Sequence, residues 1–261
     1  MDLHYVVLTD IGRRRTINQD NFAACADCND SMSSHMELEG TVSFRDDEWH
    51  LFGVFDGIGG GERGEVAAHT AAQCIATPLS DDAPDPTPEV LLRLQRANDQ
   101  VFLERSRPDA VIGTTGTVFL TSGNRMRFLQ VGDSRAYRYH SGALEQCTTD
   151  HTLAQMKLSL GCSPDDPMLR RDSHVLTRYI GSGEPGQSCC PEISEWYYVS
   201  PNDRILLCSD GLYDVCSETM MKSVLEQIPD LQDAADTLLQ YALDEGGPDN
   251  ITLLLAEYRN V

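Results

Sequence analysis

Apolar residues fall into short runs separated by breaks rich in Gly, Pro, Asp and Asn, and the spacing inside each run separates strands from helices. Compact apolar runs ending at turn residues predict strands at residues 5–9, 22–26, 50–55, 204–208 and 251–258. Residues 117–121 and 125–131 read as a hairpin across Ser122-Gly123-Asn124. Strands at 134–139, just after Ser141-Gly142-Ala143, and at 195–199 complete the set. Helical spacing appears at 62–75, which is Ala-rich, and at 89–104, where Val90, Leu91, Leu94, Val101 and Phe102 share a face. Thr87 as N-cap, Pro88 at the first helical position and Glu89 in the first turn predict the start of that second helix. Ser217 predicts the start of a third helix running to 228. A fourth spans 231–243 through Leu231, Ala234, Ala235, Leu238, Leu239 and Ala242. The strands come in series and the helices in pairs. This order disfavours strictly alternating α/β folds and predicts an α+β class, with antiparallel sheets stacked together and helices on the outer faces.

Composition narrows the picture. Of 261 residues, 41% are hydrophobic, which allows a substantial core. There is no internal repeat, and the most linker-like stretch, residues 80–89, is short enough to be a loop between two helices. One domain over 1–261 is therefore expected. No apolar run approaches the length of a membrane span, and the opening residues put an Asp before the apolar run and arginines after it, the wrong order for a secretory signal. A cytoplasmic location without membrane association is expected. The net charge is −21, from 20 basic and 41 acidic residues, and repels nucleic-acid phosphates and anionic lipid. The nine scattered cysteines suit reduced thiols. Cys25 and Cys28 form a C-x-x-C, but no His stands at ligand spacing and the adjacent Cys189 and Cys190 would chelate one metal poorly. A structural zinc site is not expected from them.

Chemistry concentrates where apolar runs end. In "LFGVFDGIGGGERGE" a run climbs to Phe55, meets Asp56, and continues almost without side chains. Asp210 follows another run in "RILLCSDGL" and is again followed by Gly. Asp133 closes "RFLQVGD", Asp249 precedes the strand at 251–258, and Asp20 leads into the strand at 22–26. Any one Asp-Gly is usually a turn. Five carboxylates in the same kind of place suggest strand ends converging on one cleft, where they would repel one another unless cations joined them. The donors are all oxygen, which selects Mg²⁺ or Mn²⁺ over Zn²⁺. "GIGGGE" is not a phosphate loop. It lacks the Lys-Ser/Thr of a P-loop, and Glu62 stands where a dinucleotide fingerprint needs its last Gly.

Taken in order, "GRRRTINQD", "VFDGIGG", "VGDSRAYRY", "TTDHT", "LTRYIG", "LCSDGLYD" and "GPDNIT" resemble the motifs of the metal-dependent PPM (PP2C-type) protein Ser/Thr phosphatases, bacterial branch, over residues 12–252. The resemblance implies a four-layer αββα sandwich of two central antiparallel β-sheets flanked by helix pairs. It implies two Mn²⁺ or Mg²⁺ ions, with a third, weaker one. Asp56 would bridge the first two, the Gly57 carbonyl would hold one, and Asp210 and Asp249 the other. Asp20 would hold metal-bound water, Asp133 would serve the third ion beside Asp210, and Arg15 would grip the substrate phosphate. Paired dications neutralise a phosphomonoester and acidify the attacking water. Arg13 and Arg14 rival Arg15 by chemistry and differ only in spacing; as solvated surface charge they need no role.

The chain also departs from the pattern. Family members that place a His two residues after the bridging Asp have a proton donor there; this chain has Ile58, which has no proton to give. His151 is a substitute by chemistry, although its neighbour Asp150 favours a structural role. Residues 152–175 stand where the family has a variable flap and lack its usual elements, and a mobile flap is expected to bias substrate choice. Residues 27–49 read as a polar hairpin extension. Three functions stay open: a general phosphoserine/phosphothreonine phosphatase opposing a Ser/Thr kinase, a dedicated phosphatase of one regulatory protein of the anti-sigma antagonist type, and an inactive binding module. Retention of all five aspartates disfavours the last. The expected partners are phosphorylated proteins, and a monomer is expected.

Overall fold

The computed structural model describes residues 1–44, 48–58, 63–80, 83–105, 111–182 and 184–260. One sheet contains β1 (Asp2–Asp10), β4 (His35–Ser43), β9 (Arg135–His140), β10 (Ala143–Gln146), β13 (Arg204–Cys208) and β14 (Ile251–Arg259), in the order β10-β9-β13-β14-β1-β4. The other contains β2 (Asp20–Ala24), β3 (Asp27–Cys28), β5 (His50–Ile58), β7 (Gly116–Ser122), β8 (Arg125–Val131) and β11 (Glu192–Ile193), in the order β11-β8-β7-β5-β2-β3. The short β6 (Gly113–Thr114) pairs with β5, and β12 (Tyr197–Tyr198) with β8. Every pairing is antiparallel.

The side-chain alternation of the strands builds three apolar layers. In β1, Leu3, Tyr5 and Val7 face the second sheet, where they meet Phe22, Phe52 and Phe119. Val6 and Leu8 point the other way, with Leu253 and Leu255 of β14, onto α6 (Glu218–Gln227) and α7 (Leu231–Asp244). In β5, Leu51 and Phe55 face outward to Ala67, Ala68, Ala71, Val90 and Leu94 of α1 (Gly64–Ile75) and α2 (Thr87–Leu103). Sheets covered on both faces need apolar residues on both faces, which explains why their strands read as nearly continuous apolar runs. Between the sheets Phe52, Phe119 and Phe128 stack in series, with centroids 5.6 and 5.7 Å apart. The architecture is the expected αββα sandwich.

Several local expectations are corrected. β4 is not a hairpin extension: it crosses to the other sheet and pairs with β1 from Asp2↔Ser43 to Asp10↔His35. Its residues alternate between exposed and half-buried, so "HMELEGTVS" has no apolar run to betray it. Helix α2 begins at Thr87 with Pro86 as its cap residue, and Asp85 Oδ1 accepts from the Thr87 amide at 2.9 Å, the task expected of the Thr87 side chain. Ser217 and Asp230 do cap α6 and α7, accepting from the amides of Met220 and Asp233. The expected helix start at Glu62 lies outside the described residues.

The region 152–175 is folded as α3 (Leu153–Ser159) and α4 (Leu169–Asp172), with α3 capped by Thr152 and the two tied by Lys157 and Asp172. Its return is anchored by the Leu153 amide donating to the Val175 carbonyl at 2.8 Å.

Candidate active site

One end of the sandwich gathers the strand ends. β2 starts at Asp20, β5 carries Asp56 and Gly57, and Asp133 follows β8 after Gly132. Asp210 follows β13 and opens the one-turn α5 (Asp210–Tyr213), and Asp249 precedes β14. Arg15, Asp56, Gly57, Asp133, Asp210 and Asp249 line one cleft of about 360 Å³, together with Gln19, Ile58, Thr115, His174, Leu176 and Asn250. Asp20 lies directly behind it, opposite Asp56 in the β2–β5 ladder. Residues spread over most of the sequence therefore meet in one place.

Backbone and hydroxyl contacts fix the carboxylates. The Asp56 amide donates to Thr115 Oγ1 at 2.9 Å, and its carbonyl accepts from the Thr115 amide at 2.8 Å. Asp20 is 3% exposed, and its Oδ2 accepts from Ser209 Oγ at 2.7 Å. Asn250 Oδ1 accepts from the Gln19 amide at 2.8 Å, while its Nδ2 donates to the carbonyls of Ile11 and Ile17. This staples the loop carrying Arg15 and Gln19 to the start of β14. A Cβ on Gly57 would lie 2.3 Å from the Gly64 carbonyl oxygen and 2.5 Å from that of Gln19, so α1 and the Gln19 loop close onto β5 only because that position has no side chain.

The site is strained electrostatically. Burial raises Asp20 to about 7, and Asp210 pushes in the same direction. Burial raises Asp133 to about 7, with Asp150 adding to it. Asp56 and Asp210 lie well above the usual carboxylate range, first through burial; Asp20, Asp133 and Asp249 then push Asp56 further up, and Asp56, Asp133 and Asp249 push Asp210 up. Asp210 Oδ1 is buried and has no hydrogen-bond partner among the described residues. An orphaned buried carboxylate oxygen among mutually repelling, oxygen-only donors is what a hard divalent cation would satisfy, so these residues fit Mn²⁺ or Mg²⁺. Arg15 Nη2 donates to Asp249 Oδ2 at the mouth of the cleft.

Other candidates lie elsewhere. Arg13 donates to the Leu243 carbonyl and pairs with Asp244 at the end of α7. Arg14 is exposed. His151 is buried, and its Nδ1 accepts from the Gly132 amide at 3.2 Å. That leaves the ring proton on Nε2, 3.3 Å from Glu192. Asp150 is not its partner: both its oxygens accept from Arg135. Cys25 packs between the sheets and Cys28 against the α1 layer, so the C-x-x-C points to opposite faces. The sequence reading missed Thr115, Ser209, Asn250 and His174. A ring nitrogen of His174 and carboxylate oxygens of Asp210 and Asp214 lie within 4.8 Å of one another at the rim. Only Asn250, inside "GPDNIT", and Ser209, inside "LCSDGLYD", carried a signal.

The chain is similar to several known proteins. The family described as Protein phosphatase 2C matches residues 18–157. The serine/threonine protein phosphatase PstP of Mycobacterium tuberculosis is 34% identical over 215 residues, covering 79% of this chain. The match spans only 40% of that relative's length. The serine/threonine phosphatase stp of Listeria welshimeri is 30% identical over 98% of this chain and 96% of its own. The crystal structure of the catalytic domain of PstP in complex with two manganese ions superposes with a TM-score of 0.76, at 29% identity and full coverage of both chains.

Proposed function

This chain belongs to the protein phosphatase 2C family, and from that membership we propose that it hydrolyses phosphoserine and phosphothreonine on proteins with the help of two Mn²⁺ or Mg²⁺ ions. The observation that carries the reading is the meeting of Asp56, Asp133, Asp210 and Asp249 with Arg15 in one cleft, with Asp20 opposite Asp56 and a buried Asp210 oxygen without a partner among the described residues.

In this reading Asp56, Asp210, Asp249 and the Gly57 carbonyl would hold the two ions. Asp20 would act through water, and Asp133 with Asp210 would serve a third, weaker ion. Bound dications supply the positive charge that neutralises phosphate oxygens and acidifies a water for attack on phosphorus. The protein's own groups do the rest. Arg15, its side chain 48% exposed at the mouth, turns its guanidinium fork from Asp249 to two phosphate oxygens and orients the phosphoryl group. Thr115 and Gln19 hold Asp56 and Gly57 by their backbones, so the Asp56 carboxylate is positioned before substrate arrives. Ile58 and Leu176 give the cleft an apolar wall and no proton.

The same reading takes residues 1–261 as one phosphatase domain and 152–175 as its flap, whose exposed Met156, Leu160, Met168 and Val175 offer an apolar surface to a phosphoprotein. It takes the protein as a cytoplasmic monomer opposing a Ser/Thr kinase. No helix among the described residues is long and apolar enough to cross a membrane. Purified protein is expected to release phosphate from p-nitrophenyl phosphate and from a phosphothreonine peptide with Mn²⁺, and to stop with EDTA. Turnover that survives chelation, or none with any divalent ion, overturns the reading.

A further inference from the structure

Away from the cleft, the turn after β3 meets the middle of α1. There Cys28 Sγ, a carboxylate oxygen of Asp30 and a ring nitrogen of His69 all lie within 4.8 Å of one another. Three kinds of donor converge from two rigid elements, and nothing in the phosphatase reading uses them.

The turn is held independently of these side chains. Asn29 is fully buried. Its amide donates to Asn21 Oδ1 at 3.1 Å, its Oδ1 accepts from the Ser33 amide at 2.9 Å, and its Nδ2 donates to the Ser33 carbonyl at 3.1 Å. Cys28 and Asp30, on either side of it, are thus presented from a fixed backbone. On α1, His69 and Gln73 are one turn apart on the same face. Gln73 Nε2 donates to Asp30 Oδ1 at 3.3 Å and orients that carboxylate from behind, as second partners orient metal ligands. Cys28 Sγ donates to the same oxygen at 3.1 Å, so a proton sits where a cation would sit. His69 Nδ1 is buried and has no hydrogen-bond partner among the described residues.

We propose that Cys28, Asp30 and His69 form a second metal site, specific for Zn²⁺ or a similarly thiophilic divalent ion, that straps the β2–β3 hairpin to α1. One sulfur, one nitrogen and one oxygen make a borderline-soft set that favours Zn²⁺ over the Mn²⁺ and Mg²⁺ suited to the all-oxygen cleft. Thiolate and carboxylate together balance the dication, and the fourth tetrahedral position is left to water. Binding replaces the S–H bond by an S–metal bond and releases one proton to solvent. The metal-free state is consistent with this: burial and the Asp30 carboxylate raise the Cys28 thiol to about 12, while the hydrogen bonds from Cys28 and Gln73 hold Asp30 below its usual range.

The test reads sulfur ligation directly and does not depend on catalysis. The full-length protein is first saturated with Mn²⁺ and then titrated with Co²⁺. A near-ultraviolet sulfur-to-cobalt charge-transfer band is expected at one equivalent. It should be absent in C28S and at least tenfold weaker in H69A and D30N, all three of which should keep p-nitrophenyl phosphate turnover within about twofold of the parent. Zn²⁺ should abolish the band and raise the melting temperature of the parent but not of C28S. No band in the folded parent, or a band of undiminished intensity in C28S, overturns the proposal. Should C28S not fold, an undiminished band in H69A and D30N does so equally. Because no arm reads phosphate release as evidence of binding, failure here is separable from failure of the phosphatase assignment.

Discussion

Asp20 and Asp56 face each other as a cross-strand pair in the β2–β5 ladder. Like charges directly opposite in a sheet are destabilising, more so when buried. The D20N variant keeps an oxygen for Ser209 and removes one charge. It should raise the metal-free melting temperature, by an amount equivalent to about 1–2 kcal/mol, and weaken Mn²⁺ binding measured by calorimetry. D56N should show the same gain in metal-free stability with a loss of turnover of about a thousandfold or more.

Stability of the metal-free protein should depend on pH in the sense opposite to ordinary salt-bridged carboxylates. Asp20 and Asp133 are raised from 3.8 to about 7 in the fold. The folded state therefore binds more protons than the unfolded chain between those values. The stability these groups contribute is fully present below about 3.8 and is lost as pH climbs through about 7. Melting curves in EDTA from about pH 5 to pH 8 should fall with pH, and D133N should flatten the slope. An unchanged slope in D133N would show that its carboxyl is not protonated in the fold. With Mn²⁺ present the sign should reverse, since deprotonated carboxylates bind the ion.

Replacing Arg15 by Ala removes a charge-assisted fork worth about 1.5–3 kcal/mol. A loss of about 10- to 100-fold in kcat/KM for p-nitrophenyl phosphate is expected, with Mn²⁺ affinity changed much less. Lysine should restore only part of it, because it supplies the charge without the planar fork. R13A should leave both constants unaltered, since Arg13 is engaged at the end of α7.

Gly57→Ala tests packing at the site. Its methyl group would meet two backbone carbonyl oxygens at 2.3 and 2.5 Å, which have no rotamer to yield. A destabilisation of about 1–3 kcal/mol is expected from denaturant titration. Weaker Mn²⁺ binding should accompany it, because β5 and the α1 start must part. Gly142→Ala is the control: space there is open, and only its positive φ of 80° costs.

The site aspartates were legible because Asp56, Asp133 and Asp210 stand where an apolar run stops and Asp20 and Asp249 where one begins, and a carboxylate in such a place needs a chemical reason. The sandwich was legible because two-faced strands and paired amphipathic helices leave few ways to bury both. Register was not legible: nothing local to Asp20 says that it will face Asp56 and no other residue. β4 escaped because an edge strand with charged outward residues has no hydrophobic signature. Thr115, Ser209 and Asn250 escaped because hydroxyls and amides that pin a backbone look like any other polar residue until the backbone is in place. The Cys28–Asp30–His69 cluster escaped because two of its ligands are local and the third arrives on a helix.

In the first sheet β1 lies between β14 and β4, and Asn250 clamps the Arg15 loop. The cleft is thus a seam between segments 234 residues apart, Arg15 on one side and Asp249 on the other. While the ribosome is still adding residues before 249, no partial product can hold the full set of carboxylates, whatever has already collapsed. The full set of carboxylates is therefore assembled only once residue 249 is in place.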